Sequence, residues 1–261
     1  MQRRRVNLTE KSELPWYEDD EMWEIMEPVM FTESRIAQTP EEVDNLVSLL
    51  KIQPNEVILD LGCGIGRHSL EFARRGYKIV GVDRTKIYLE RARASAAKEE
   101  LELEFVLEDM LSFLRENSFD IVLSMYTSFG FSEDPKDQMR VLKNIHLSLR
   151  NGGRFVLAGH SIAKEVFART FVPRTWDEHE TGFILRERKI VNDWSMAHKT
   201  WHFIEKGGRI HRWEITHWIY SAAELKSMLM SAGFSQVQIY GSLDGSAYDN
   251  EATLIVAVAT K

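Results

Sequence analysis

The chain has one cysteine, Cys63, in 261 residues. No disulfide can form within it, and a reducing, cytoplasmic setting is the expectation. It has no apolar run of about eighteen residues, the length a membrane-spanning helix needs, so no membrane partner is expected. No apolar stretch follows Arg3, Arg4 and Arg5, so the N-terminus does not read as a secretory signal; the three arginines read as a solvated tail. Basic residues number 33 against 40 acidic ones, a net charge of −7. A protein that grips phosphate backbones needs a basic face, so no nucleic-acid partner is expected. Internal repeats and low-complexity tracts are also absent, which excludes solenoids and disordered linkers.

Apolar residues make up 44% of the chain, enough for one large core, and the length fits a single domain with a modest insertion. Residues 1–40 are irregular, with Trp16, Tyr17, Trp23 and Phe31 among Glu18, Asp19, Asp20 and Glu21. Pro40 and Glu41 open a helix whose Val43, Leu46, Val47 and Leu50 share one face. Strands and helices then alternate. Strands are read at Val57–Leu61, Lys78–Val82, Leu103–Leu107, Phe119–Ser124 and Arg154–Ala158. Helices lie between them at Leu70–Arg75, around Tyr88, Leu89, Ala92 and Ala96, and around Met139, Leu142, Ile145 and Leu149. The last of these is read as ending at Asn151-Gly152-Gly153. Such alternation implies a mostly parallel sheet with helices on both faces. Residues 183–220 read instead as three antiparallel strands turning at Asn192-Asp193 and Gly207-Gly208. A helix through Leu225, Met228, Leu229 and Ala232 and strands near Gln236–Tyr240 and Thr253–Ala259 complete the chain.

The segment Val57-Ile58-Leu59-Asp60-Leu61-Gly62-Cys63-Gly64-Ile65-Gly66 joins a strand to a helix through glycines. Glycine lets the backbone approach a ligand closely, and a helix N-terminus offers free N–H groups. A dinucleotide fingerprint, Gly-x-Gly-x-x-Gly/Ala, would require a small residue where Arg67 stands, and here the third glycine comes one place early. Cys63 reads as a small buried filler rather than a nucleophile.

Asp60-x-Gly62-x-Gly64-x-Gly66 resembles the first motif of the class I S-adenosylmethionine-dependent methyltransferases. Asp83 stands where that family's acid binds both ribose hydroxyls. Asp109, in Glu108-Asp109-Met110, stands where the adenine amino group is bound. Phe119-Asp120-Ile121-Val122 resembles the fourth-strand motif, and Asn151-Gly152-Gly153-Arg154 the turn before the fifth strand, with Asn151 in place of proline. The resemblance covers roughly residues 40–160 and 220–260. It implies a Rossmann-like seven-stranded, mostly parallel sheet with one antiparallel strand, helices on both faces and an antiparallel β-meander insertion. It implies S-adenosylmethionine as cofactor and S-adenosylhomocysteine as product. The cofactor residues it implies are Tyr17, Asp60, Gly62, Cys63, Gly64, Asp83, Arg84, Glu108, Asp109, Met110 and Met125. The organisation it implies is a lid over 1–40, the cofactor domain over 41–160 and 221–261, and a cap over 161–220.

Three further stretches resemble small-molecule N-methyltransferases: Trp16-Tyr17-Glu18-Asp19-Asp20, Met125-Tyr126-Thr127-Ser128-Phe129-Gly130, and Leu243-Asp244-Gly245-Ser246-Ala247-Tyr248-Asp249. They imply a small-molecule acceptor, most naturally an amine nitrogen, methylated by in-line displacement. Trp16, Tyr126, Phe129, His160 and Tyr248 are the substrate candidates. An RNA or protein methyltransferase, or an inactive S-adenosylmethionine-binding module, remain alternatives. Two-residue turns at Asn192-Asp193 and Gly207-Gly208 would align Glu187, His198 and His217 in one row on the less charged face, expected to turn inward. His198 and His217 are then candidate bases beside Tyr126; a wet cross-strand row is the plainer reading of the same pattern. No resident metal is expected, and the oligomeric state is not legible.

Overall fold

A computed structural model describes residues 15–126 and 128–261. The arginines at 3–5, the start of the expected lid and Thr127 lie outside the described residues. After a single 3-10 turn at Trp16–Glu18, the elements are α1 (Asp20–Met30), α2 (Glu33–Ala37), α3 (Thr39–Leu50), β1 (Val57–Leu61), α4 (Arg67–Arg74), β2 (Lys78–Asp83), α5 (Lys86–Lys98), β3 (Glu104–Leu107) and β4 (Phe119–Met125). They continue with α6 (Pro135–Ser148), β5 (Leu149–Gly159), α7 (Lys164–Thr170), β6 (Arg174–His179), β7 (Gly182–Val191), β8 (Met196–Glu205), β9 (Ile210–Trp218), α8 (Ala222–Ala232), β10 (Gln236–Tyr240) and β11 (Ile255–Thr260). No helix among the described residues is long and apolar enough to cross a membrane.

The main sheet has the seven strands expected, in the order β10-β11-β5-β4-β1-β2-β3. Only β11 runs against its neighbours, β10 and β5. Its strands are apolar nearly throughout because both faces are covered. Val141, Leu142 and Ile145 of α6 and Leu225 and Leu229 of α8 pack on one face. Val43, Leu46 and Leu50 of α3 and Phe72 of α4 pack on the other. The order reverses between β1 and β4, and a ligand crevice forms outside the carboxyl ends of strands at such a point. The Asn151-Gly152-Gly153 turn lies inside β5, which begins directly after α6. There the pairing with β4 jumps from Phe119↔Leu149 to Ile121↔Arg154.

The N-terminal segment is more regular than its sequence reads. The Asp19 side chain caps α1 by accepting the Met22 N–H at 3.0 Å. Met22, Ile25, Met26 and Val29 then follow at helical spacing and pack against Ile184, Phe203 and Ile215 of the second sheet. Pro28 inside the last turn of α1 is what breaks the pattern to the eye.

That second sheet has four strands, β6-β7-β8-β9, where three were read. Arg174–His179 was missed because its six residues include four charged or imidazole side chains and no apolar alternation. The register also differs. Asn192, Asp193 and Trp194 all take left-handed backbone angles, and β7 and β8 resume pairing at Val191↔Met196. At the next hairpin Ile204 pairs with Ile210, and the last glycine, Gly208, has φ +84°. That connection is one residue longer than a two-residue turn, and a slip of one residue moves a strand's side chains to the other face. Hence His198 pairs with Lys189 and Thr216, Glu187 with Thr200, and His217 with Ala197. The row of Glu187, His198 and His217 does not exist.

The expected inward face is reversed on β7 and β8, while on β9 Ile215 and His217 turn inward as expected. Leu185, Glu187 and Lys189 are exposed, while Ile184, Phe203, Ile215 and His217 are buried. The face that also carries Arg186, Arg188 and Lys199 is the one turned to the protein.

Met26, fully buried between α1 and the second sheet, gives a direct test of this packing. Met26→Ala is expected to lower unfolding free energy in urea by about 2–5 kcal/mol. A loss under about 0.5 kcal/mol, the usual effect at a surface position, would mean that α1 is not docked there.

Candidate functional site

The glycine turn is built by β2 as much as by β1. The N–H groups of Gly62 and Cys63 donate to the Val82 carbonyl at 2.8 and 3.0 Å. The Gly64 N–H donates to Asp83 Oδ2 at 2.7 Å, and the Thr85 N–H to Asp83 Oδ1 at 2.8 Å. Gly62, Gly64 and Gly66 have φ of +80°, +57° and +76°, where side chains are rarely tolerated. A Cβ on Gly62 would lie 2.4 Å from Ser128 Oγ. Gly66 is the N-cap of α4, its own N–H donating to the Cys63 carbonyl at 3.0 Å, so the N-terminus of that helix faces the turn.

A carboxylate oxygen has two lone pairs. Each oxygen of Asp83 accepts one amide and the Thr85 side chain also bonds to the carboxylate; the acceptor capacity left over suits ribose hydroxyls. Burial pushes this carboxyl above its usual range, and the Thr85 and Gly64 amides act against that. Asp60, also buried and raised for the same reason, accepts the Ser69 hydroxyl at 2.7 Å. At the end of β3, Asp109 accepts the Leu111 N–H at 2.8 Å and lies 3.7 Å from Arg84 Nε.

These groups line one cavity with about 1420 Å³ of empty space, its open mouth included. Tyr17, Gly62, Cys63, Gly64, Arg84, Glu108, Met110, Met125 and Tyr126 all border it, with Asp60, Asp83 and Asp109. The Cys63 thiol is buried and held protonated, its pKa raised first by burial. The bordering residues include six carboxylates (Glu42, Asp60, Asp83, Glu108, Asp109 and Asp137) against three guanidiniums (Arg35, Arg67 and Arg84). The excess of negative charge suits a cationic ligand such as a sulfonium.

The sequence reading missed a polar cluster here. Glu42 of α3 accepts the Tyr126 hydroxyl and pairs with Arg67, and His68 Nε2 lies 2.8 Å from it. Burial would raise the Glu42 carboxyl, but hydrogen bonds from His68 and Tyr126 and the Arg67 charge outweigh it and hold it at about 2. Tyr126 is pushed up to about 12, first by burial and then by Glu42. Its phenol is therefore a fixed donor at neutral pH. Tyr126 also has φ +64°, a backbone state that costs a non-glycine residue roughly 1–2 kcal/mol. Arg67 and His68 directly follow the glycine motif, which was their only sequence signal.

The N-terminal segment roofs the cavity. Phe31 lies over Gly64, whose added Cβ would come 2.8 Å from its ring. The Arg84 guanidinium donates to the Tyr17 carbonyl, and the Tyr88 hydroxyl to the Trp23 carbonyl at 2.7 Å. Trp16 does not border the cavity; it packs on Phe131, which does, and donates to the Thr216 carbonyl of β9 at 3.2 Å.

Other expected substrate residues lie elsewhere. Phe129 is 1% exposed in the core, and Tyr248 donates to Glu165. His160 stands just past β5, outside the cavity lining. His198, on the outer face, contacts Thr216 Oγ1 at 3.0 Å. His217 is buried with Nδ1 on the Trp218 carbonyl. Burial, then the Lys199 charge, pushes His217 down to about 3. Neither histidine borders the cavity.

Comparison with known proteins agrees with this geometry. Residues 58–153 match the family described as a methyltransferase domain. The chain is 30% identical over 152 residues to the carboxy-S-adenosyl-L-methionine synthase of Yersinia enterocolitica, covering 55% of this chain and 55% of that protein. Among solved structures, the CcbJ methyltransferase of Streptomyces caelestis superposes with a TM-score of 0.72 at 21% identity, over 85% of this chain and 88% of that one. The sugar N-methyltransferase KedS8 of a Streptoalloteichus species superposes at 0.71 and 17% identity, over 100% and 99%. At these identities the two structures bear on the fold alone.

Two outcomes follow from the cavity. Gly62→Ala is expected to weaken S-adenosylhomocysteine binding more than tenfold by calorimetry, while Gly207→Ala, where an added Cβ meets nothing within 4 Å, leaves it unchanged; equal affinities would contradict the turn's role. Glu42, depressed from 4.5 to about 2, contributes stability that is present above pH 4.5 and lost as pH falls toward 2. Acid titration of Glu42→Gln should show a shallower loss in that window, and an unchanged slope would count against the cluster.

Proposed function

We propose that this S-adenosylmethionine-dependent methyltransferase methylates the amine nitrogen of a small molecule. The observation that carries the reading is the roof: the N-terminal segment closes over the acidic cavity with Tyr17, Trp23, Met30 and Phe31, which favours a small acceptor over a folded polymer. The net charge of −7 points the same way.

When bound, S-adenosylmethionine supplies a sulfonium methyl group, whose C–S bond breaks as the acceptor's lone pair forms the new N–C bond. Asp83 would hold the ribose hydroxyls, and Asp109 with the Met110 N–H would take the adenine edge. Met125 and Tyr126, at the end of β4, border the transfer point. Tyr17 and Phe31 exclude water above it. Alignment and desolvation of this kind are the main contributions a protein makes to such a displacement.

Nitrogen is favoured over oxygen by what the cavity's bases are doing. At the end of β4, in the cluster beside the proposed transfer point, Tyr126 is held protonated, Glu42 is a very weak base, and His68 is engaged by Glu42. A hydroxyl acceptor needs a base to take its proton, whereas an amine that binds neutral does not.

A panel of amines and matched alcohols with methyl-labelled S-adenosylmethionine tests this. Label should enter amines only, and kcat/KM should rise with pH until the acceptor amine is fully neutral. Faster methylation of the alcohols, or a bell-shaped profile set by an enzyme base, would overturn it.

A further inference from the structure

The charge excess of the cavity is inverted on the second sheet. Its inward face is apolar at both ends, where Ile184, Phe203 and Ile215 meet α1 and where Ala197 and Ile190 meet Phe167 of α7. Between these ends stand Arg186, Arg188 and Lys199. Arg188 and Lys199 are direct cross-strand partners, an arrangement of like charges that destabilises a sheet.

Little on this face neutralises them. Arg186 is paired with Asp177 and lies 5.8 Å over the Trp201 ring. Arg188 reaches Thr175 Oγ1 at a long 3.4 Å. Lys199 has no hydrogen bond or ion pair among the described residues. It is half-buried, and desolvation, then Arg188 and Arg186, push its ammonium down to about 7. Beside it, His217 Nε2 is buried without a partner. Placing like charges side by side on a half-buried face is costly, and a bound anion would supply the missing counter-charge.

Neither Arg188 nor Lys199 borders the cavity itself; both lie near His160, the residue that follows β5. His160 feels Lys199 and Arg188, and also Arg35, which borders the cavity. The residue before it, Gly159, is so close to Tyr126 that an added Cβ would lie 2.6 Å from the Tyr126 carbonyl oxygen.

We propose that Arg188 and Lys199 form an anion-recognition subsite that receives a carboxylate or phosphate group carried by the methyl acceptor, so that the acceptor is an anionic amine. The inference rests on the small-molecule reading above. The two charged regions then divide the substrates: the acidic cavity takes the sulfonium, and the cationic face takes the far end of the acceptor and aims its nitrogen at the methyl group.

Thermal denaturation in the presence of S-adenosylhomocysteine tests the subsite without turnover. Sodium sulfate stands for phosphate and sodium acetate for carboxylate, each against sodium chloride at equal ionic strength. The wild type is expected to be stabilised by at least one of the two anions beyond chloride, and the better one identifies the group. Half-saturation should rise at least tenfold in Lys199→Met and Arg188→Met but not in Lys189→Met on the outer face. With no added anion, Lys199→Met should melt no lower than the wild type, because a like-charged neighbour is gone; Lys199→Gln replaces it if the methionine variant does not fold. Equal responses of Lys199→Met and Lys189→Met, or none beyond chloride in the wild type, would overturn the subsite. Amines offered with and without a carboxylate or phosphate complete the test. Preference for the neutral member overturns this inference and leaves the proposed function standing. Anion binding that depends on Lys199, with no amine methylated, supports the subsite and defeats the proposed function instead.

Discussion

The carboxylate of Asp83 is the constraint on which the site depends. It ends β2, accepts the Gly64 amide of the neighbouring turn and the Thr85 amide that starts α5, and so fixes three elements at one point. The Val82 carbonyl just before it takes two more amides of the turn. Without these bonds the glycines would be free to fold back, and the N-terminus of α4 would not face the crevice. The carboxylate keeps acceptor capacity beyond these bonds, so the atoms that hold the turn are also the atoms suited to a diol.

The roof is tied to this floor by several bonds of modest strength rather than by one strong contact. Tyr17 and Trp23 offer backbone carbonyls to Arg84 and Tyr88, and Trp16 reaches across to β9. Phe31 rests against Gly64, where only a glycine leaves space for the ring. The roof therefore senses the geometry of the turn directly. Glu42, Arg67, His68 and Tyr126 close the remaining side and connect α3, α4 and the end of β4 through charged hydrogen bonds.

Local signals carried most of the sheet and the floor of the site. The glycine spacing, the acids at 60, 83 and 109 and the apolar strands each follow from chemistry within a few residues, and the main sheet formed as they imply. What failed was long-range or sensitive to one residue. A hairpin connection longer by one residue sent His217 to the opposite face from His198, and no local pattern announces which turn length is used. The charged face was expected outside because charge usually means water; Arg188 and Lys199 depart from that rule. Glu42 stood in a helix whose apolar stripe drew attention to the other side, and its partners come from α4 and β4. The stripe of Met22, Ile25, Met26 and Val29 was legible, but Pro28 and the surrounding acids masked it.

Hydrogen exchange with and without S-adenosylhomocysteine tests the central claim that the turn and its roof form one ligand-binding unit. The account expects added protection in the amides of 62–66 and 83–85 and, to a similar degree, in α1, whose residues do not adjoin the turn in sequence. Protection confined to the turn, or none in either segment, would contradict it.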